Sequence, residues 1–305
     1  MKGVFNIFQC IIIGTILNIT AYSQVLEPRA LTNLPVGTNF VGAGYAFSIG
    51  NVLLDPSLPL EDLDAKLNTF VGAYARAISL FGLSGKVDVV VPFATGDWYY
   101  KYQGVNEYDV SNGFGDARVR LSINFLGAPA LKTEEYKEYK QKTIFGYSVQ
   151  LVVPTGNYKS DQLPNLGSNR WTIKIQFGIS HTFNKLIVEG YLSLWLFTAN
   201  KNFLNGNKLD QDPLFTINAS VIRSLPKRFW IALAAGYGYG GRSYVNDISK
   251  DALISTLRLG LVLAIPIAAQ HSLKMVGVTG IKFKQGSDFD AISISYQYRW
   301  INKKG

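Results

Sequence analysis

The feature that most restricts the fold of this chain is a period of two that recurs in segments of about 10–14 residues. The last segment, residues 286–300, shows it most clearly. Its apolar positions are Ile292, Ile294, Tyr296, Tyr298 and Trp300, and its intervening positions are Ala291, Ser293, Ser295, Gln297 and Arg299. Successive side chains of a strand point to opposite faces, so this spacing predicts a β-strand with an apolar and a polar side.

Twelve such strands are predicted, at residues 38–49, 66–78, 86–94, 116–126, 143–154, 170–181, 185–198, 213–224, 228–240, 253–266, 271–284 and 289–301. The connections alternate in length. Those at 50–65, 95–115, 155–169, 199–212 and 241–252 are long and polar, and those around Gly82, Asn184, Pro226 and Ala268 are short. A short helical insertion is predicted at 127–142, and 285–288 is a shorter outer loop. Long outer loops and tight periplasmic turns are typical of outer-membrane barrels.

The N-terminus predicts export. Lys2, an apolar stretch at 4–17 and the small residues Ala21 and Ser23 are typical of a signal peptide, assigned to residues 1–23. Residues 24–37 are then a periplasmic lead and 38–305 the barrel. The single cysteine, Cys10, lies in the signal peptide, so the mature chain is expected to have no disulfide or thiolate chemistry.

No uninterrupted apolar stretch of about 18 residues follows the signal peptide, so entry into a membrane requires strands. The predicted fold is therefore all-β: a transmembrane antiparallel up-and-down barrel of about twelve strands, with ten or fourteen as alternatives. The formal charge of +9 lacks a clustered basic stripe with interleaved aromatic residues, so no nucleic-acid partner is expected.

In most predicted strands the charged residues share the face opposite the apolar residues. The second and seventh strands are less regular, and Glu189 shares its face with Tyr191 and Trp195, so part of the lumen is expected to be apolar. A charge facing lipid near the midplane would cost about 2–4 kcal/mol, which predicts that the charged residues point inward. The predicted lumen or pore-lining residues are Lys86, Asp88, Asp116, Arg118, Arg120, Arg170, Lys174, Glu189, Arg258, Lys274 and Arg299. They would either line a pore that favours anionic or polar aromatic solutes, or form salt bridges that plug the barrel.

Aromatic residues near the strand ends predict girdles at the membrane interfaces, in contact with outer-membrane lipid. The predicted girdle residues are Tyr237, Tyr239, Tyr296, Tyr298 and Trp300. Residues 236–241 formally match G-x-G-x-x-G, but the period of two continues through them, whereas a dinucleotide site needs a helix to begin there. No cofactor is expected.

The two histidines do not predict catalysis. A barrel lipase would need a Ser–His pair, but Ser180 and Ser272 are sequence neighbours of His181 and His271 and so point to the opposite face. No His, Cys or carboxylate spacing resembles a metal site. No catalytic or metal-binding residue is therefore assigned, and the chain is not expected to be an enzyme.

Several segments resemble one bacterial transporter family, named for the MetA pathway of phenol degradation. They are residues 37–66, 113–131, 166–171, 210–225 and the terminal GSDFDAISISYQYRW. The resemblance implies an outer-membrane β-barrel of a Gram-negative bacterium, with a name that suggests passage of aromatic compounds. The last strand also resembles the terminal aromatic signal by which the barrel assembly machinery recognises its clients.

The sequence therefore predicts a channel for passive passage of small solutes, including aromatic or anionic ones. The alternative is a closed structural or adhesive barrel that presents its long loops, and a lipid-modifying barrel enzyme is third.

Overall fold

The structure is a computed structural model that describes residues 26–52, 60–250, 252–284 and 286–301. The predicted signal peptide, with Cys10, lies outside the described residues. No helix among the described residues is long and apolar enough to cross a membrane.

The described residues form seventeen strands and two short helical turns. The strands are β1 (Thr38–Gly50), β2 (Glu61–Leu80), β3 (Leu83–Tyr102), β4 (Val105–Phe114), β5 (Ala117–Pro129), β6 (Thr143–Val153), β7 (Thr172–Phe183), β8 (Leu186–Phe197), β9 (Asn200–Phe203), β10 (Asn207–Gln211), β11 (Leu214–Ser224), β12 (Trp230–Gly240), β13 (Ser243–Val245), β14 (Ile248–Ser249), β15 (Ile254–Pro266), β16 (His271–Lys282) and β17 (Asp290–Ile301). Helix α1 spans Thr133–Tyr136, and a 3₁₀ turn spans Pro226–Arg228.

Twelve of these strands form a closed antiparallel barrel, in the order β1, β2, β3, β5, β6, β7, β8, β11, β12, β15, β16 and β17. Closure comes from β1, which pairs with β2 on one side and with β17 on the other, from Thr38 opposite Ile301 to Ile49 opposite Asp290. Each barrel strand overlaps one of the twelve predicted segments. The prediction of a twelve-stranded up-and-down barrel is confirmed.

The two ends of the barrel differ. At one end, named here the turn end, the connections are short: Phe81–Gly82, Asn184–Lys185, the 3₁₀ turn and residues 267–270, together with α1, the start of β1 and the end of β17. At the other, the loop end, the connections are longer. Outer-membrane barrels keep short turns in the periplasm and long loops outside, which orients the turn end toward the periplasm.

Several segments predicted as long polar loops contain strands among their described residues. β2 and β3 are each 20 residues long, whereas a membrane strand needs about 9–11, so their outer ends project from the barrel with β4. β9, β10, β13 and β14 form a second small sheet within the loops 199–212 and 241–252. Two-residue turns with positive φ, Gln103–Gly104 and Asn246–Asp247, join β3 to β4 and β13 to β14.

Burial across the barrel wall is the inverse of that in a water-soluble protein. Large apolar side chains such as Leu192, Leu233 and Ile292 are more than half exposed on the outside. Polar and charged side chains such as Lys86, Gln176 and Arg258 are buried on the inside. An apolar outer surface around a polar interior is stable in lipid, and it is the outer-membrane arrangement.

Candidate functional site: the filled lumen

The inward faces of the strands bring the predicted lumen residues to the interior. All eleven are buried except Arg118, which is partly buried. Asp116 and Arg170 precede β5 and β7 and lie at the loop end rather than on the wall. The Asp116 carboxylate accepts hydrogen bonds from the backbone N–H groups of Gly156 and Ser168, each at 2.9 Å, and from the Ser168 hydroxyl. Asp116 therefore braces the loop between β6 and β7.

Residues 26–36, named here the lumen segment, enter the interior from the turn end. The Val36 N–H donates to the Leu131 carbonyl at 2.9 Å, and the Gly37 N–H to the Ala77 carbonyl at 3.0 Å. Leu34 packs with Phe40, Val71 and other inward residues in one buried cluster. A periplasmic lead is predicted at 24–37. The described part of this stretch, residues 26–36, lies inside the barrel at the turn end, where its leucines are buried against the inner wall.

Glycines of the wall make room for two of these leucines. A Cβ on Gly260 would lie 2.6 Å from Leu26 Cδ1, and one on Gly236 3.1 Å from Leu26 Cδ2. Leu31 packs in the same way against β6, where a Cβ on Gly146 would lie 2.6 Å from Leu31 Cδ2. Glycine weakens a strand but allows close approach of another part of the chain. The interior is shaped to hold the lumen segment.

The carboxylate of Glu27 reaches a group of cations on the wall. Arg120 donates from Nη1 to Glu27 Oε2, and its Nε donates to Asp88 Oδ1 at 3.1 Å. Lys86 Nζ lies 3.9 Å from the same Asp88 oxygen. Lys174 and Lys274 lie within electrostatic reach of Glu27. Lys86, Arg120, Lys174 and Lys274 are named the inner basic cluster; they come from β3, β5, β7 and β16.

Glu189 holds the next turn of the lumen segment. Its carboxylate accepts the Arg29 N–H at 2.6 Å, the Ser180 and Tyr191 hydroxyls at 3.0 Å, and the Ser220 hydroxyl at 3.4 Å. The Arg29 guanidinium lies 5.7 Å from the centre of the Trp230 ring. Glu189 is therefore a well-satisfied buried anion, in keeping with the hydrogen-bond requirement of buried charges.

Three cations of the wall and loop end lie over aromatic rings. Lys174 Nζ is 5.0 Å from the centre of Trp195, Arg170 is 4.9 Å from that of Phe197, and Arg258 is 4.1 Å from that of Phe289. These distances are typical of cation–π contacts.

Arg258 is a buried cation whose guanidinium makes no hydrogen bond in the part of the chain that the structure describes. Its side chain is 0% exposed, and none of its three guanidinium nitrogens has a hydrogen-bond partner there. Arg299, near the turn end, instead donates from Nη2 to the Ala269 carbonyl at 3.2 Å.

The predicted girdle residues lie on the outward face at both ends. Tyr239 and Tyr296 are exposed, and Tyr237, Tyr298 and Trp300 are partly covered by neighbours. Tyr298 stacks on Trp300 with ring centres 5.7 Å apart, and the Tyr237 hydroxyl lies 2.9 Å from the Ser255 hydroxyl.

The histidines lie outside the lumen. His181 Nδ1 lies 2.7 Å from the Thr143 hydroxyl and the ring packs on Phe183, while the neighbouring Ser180 points inward to Glu189. His271 contacts Tyr296 and Tyr298. Within the described ranges, no three His, Cys, Asp or Glu side chains are grouped closely enough to hold a metal ion.

Sequence reasoning missed Glu27, Arg29 and the two seated leucines, because their partners lie far away in the chain. One signal was present: glycines 146, 178, 236 and 260 all fall on the inward parity of their strands. Small residues at these positions leave interior space that the wall does not fill.

The fold is similar to those of solved outer-membrane proteins. The COG4313 outer membrane channel from Pseudomonas putida F1 superposes with a TM-score of 0.74 at 18% identity, covering 90% of this chain and 99% of that one. The transport unit of the autotransporter AIDA-I from Escherichia coli superposes with a TM-score of 0.50 at 10% identity, covering 88% and 94%. At these low identities the superpositions show a shared fold.

No curated protein matches the chain. A family model does match, over residues 33–273, which is most of the chain and spans β1 to the start of β16. The expected resemblance is thereby confirmed. The chain is an outer-membrane β-barrel and belongs to the family described as putative MetA-pathway of phenol degradation.

Proposed function

We propose that this protein is an outer-membrane channel through which small anionic or aromatic solutes pass without energy coupling. The observation that carries the proposal is the charge of the inner face. The eleven predicted lumen residues comprise eight cations and three acids, and all three acids already have partners in the wall, the loops or the lumen segment. A closed structural barrel has no need of such an excess.

Aromatic rings beside the cations support the solute class. A ring and a cation that share one surface can contact both parts of an aromatic anion, through stacking and through charge. Lys174 with Trp195 and Arg258 with Phe289 offer this combination on β7–β8 and at the loop end.

The lumen segment is the observation that favours the second candidate, a closed structural or adhesive barrel. It fills interior space and supplies Glu27 to the inner basic cluster. The two candidates differ in one property. In a channel the lumen segment must move out of its position against the inner wall, and in a structural barrel it stays there. The third candidate, a lipid-modifying enzyme, would need a serine beside His181 or His271, and Ser180 points to Glu189 instead.

Single-channel recording of the full chain in a planar bilayer tests the proposal. We expect discrete conductance steps and a reversal potential that shows anion preference under a salt gradient. The preference should fall in Arg118→Ser/Arg120→Ser, because both side chains face inward. Arg76→Ser/Arg223→Ser removes two outward arginines and serves as the matched control, with unchanged selectivity.

Two results would contradict a channel. One is silence of inserted, heat-modifiable wild type together with silence of Gly260→Val, whose new side chain collides with Leu26. The other is an equal loss of anion preference in the outward control, which would place the selectivity outside the lumen.

A further inference from the structure

Without the lumen segment, the wall around the inner basic cluster carries more positive than negative charge. Four cations, Lys86, Arg120, Lys174 and Lys274, come from four strands, all are at most 6% exposed, and the acid that the wall adds beside them is Asp88. Buried like charges are unfavourable unless anions balance them. The wall therefore creates a place for a further anion.

Glu27 fills that place, but it is not part of the wall. It belongs to the lumen segment, and its side chain is 9% exposed where it meets Arg120. The wall holds this segment through contacts that are separate from the carboxylate: Leu26 against Gly260, and the Arg29 N–H on Glu189. The carboxylate of Glu27 is thus presented to the cluster as a ligand would be.

We propose that the inner basic cluster is a binding site for small carboxylates, which Glu27 occupies in this structure and from which a solute carboxylate displaces it. The inference rests on the proposed channel function for the route by which the solute arrives. Hydrogen bonds from an arginine to a carboxylate are charge-assisted and strong, and Arg120 directs Nη1 to Glu27 while its Nε is held by Asp88. The Trp195 ring beside Lys174 favours carboxylates attached to an aromatic ring.

Glu27 then acts as an internal competitor. A site that is free only part of the time binds its ligand with an apparent affinity reduced by that free fraction. Shortening Glu27 to alanine removes the competing carboxylate and leaves its volume open beside Arg120. Solute carboxylates should therefore bind the shortened variant more tightly than they bind the natural chain.

Calorimetric titration of the full chain in detergent tests this with sodium benzoate. We expect Glu27→Ala to bind benzoate about tenfold more tightly than wild type, or better, if Glu27 occupies the site nine-tenths of the time. Benzamide has nearly the same shape without the charge and should show no such gain. Lys174→Met in the Glu27→Ala background should lose most of the gain. If Glu27→Ala fails to give a heat-modifiable barrel, Glu27→Gln replaces it with the same expectation.

The proposal is overturned if Glu27→Ala binds benzoate no better than wild type, or if benzamide binds as well as benzoate, which would indicate an apolar cavity. Bilayer recordings of the same variants separate this failure from that of the channel. Conductance without the benzoate gain would remove the carboxylate site and keep the channel. The benzoate gain with silence in every variant would keep the site and remove the channel.

Discussion

Gly260→Val is expected to unseat the lumen segment. The position lies on the inward face of β15, and a Cβ there would be 2.6 Å from Leu26 Cδ1, while the next nearest atoms, Gly277 O and Val278 Cγ2, are 3.5 and 3.7 Å away. The collision therefore falls mainly on the segment and spares the wall. A single alanine methyl would displace only the end of Leu26, so the larger valine is chosen.

The magnitude follows from overpacking. Inserting extra carbons into a well-packed interior typically costs about 1–3 kcal/mol. Since about 1.4 kcal/mol is a factor of ten, the ratio of unseated to seated segment should rise by about 5- to 150-fold. The barrel should be little affected.

Trypsin provides the assay, because Arg29 and Ala30 form a cleavable bond inside the lumen segment. A protease needs an extended, accessible chain, so the rate of cleavage after Arg29 reports the unseated population when opening is fast. The matched control is Gly277→Val on the neighbouring strand β16, where an added Cβ meets nothing within 4 Å. Mass spectrometry of the N-terminal product gives the rate. Equal cleavage rates in Gly260→Val and Gly277→Val would refute the claim that the packing of Leu26 on Gly260 holds the lumen segment in place.

Three further outcomes are expected. Leu233→Arg places a charge on a side chain that is 67% exposed to lipid and should destabilise the barrel by about 2–4 kcal/mol in urea unfolding from vesicles, while Ala234→Ser on the inward face should change little. Arg258→Met should stabilise the barrel by about 1–4 kcal/mol in the same assay, because a buried guanidinium without hydrogen bonds is replaced by an apolar chain of similar length. At the loop end, the hydrogen bond to Asp97 raises the pKa of Tyr108 to about 12. The stabilisation from this bond is therefore fully present below about pH 10 and is lost as the pH rises through 12. In Asp97→Ala, the pKa of Tyr108 measured by absorbance titration should fall toward about 10.

The barrel could be predicted because its determinants are local. The alternation of residues within a strand indicates its apolar and polar faces. In β7, for example, Ile173, Ile175 and Phe177 alternate with Lys174 and Gln176. Lipid outside and polar groups inside then fix which face is which. The short turns pair the strands that they join, and the up-and-down pattern extends this order across the longer loops.

The outer hairpins were missed although their signals were present. Trp98 and Tyr100 alternate with Asp97 and Tyr99 before Gln103–Gly104, and the alternation resumes in β4. These residues are polar as well as aromatic, and they were assigned to a long loop. The polar side chains led to a loop prediction, although the period of two in these residues indicates strands.

The position of the lumen segment has a different cause. Leu26 is seated by Gly236 and Gly260, which are more than 200 residues away in the chain, and Glu27 meets Arg120 across the interior. No local pattern at residues 26–36 encodes these contacts. What the sequence does contain is the complement: inward glycines that leave space, and inward cations that outnumber inward acids.

The lumen segment alone fills the space that the inward glycines leave and supplies the negative charge that the wall lacks. If the wall had evolved only to be closed, larger side chains at the glycines and one more acid on a strand would serve, without the entropy cost of ordering the lumen segment. Placing both on a segment that enters from the turn end makes them removable together. The arrangement therefore favours a barrel whose filling leaves on demand, and the trypsin comparison of Gly260→Val with Gly277→Val measures how strongly the filling is held.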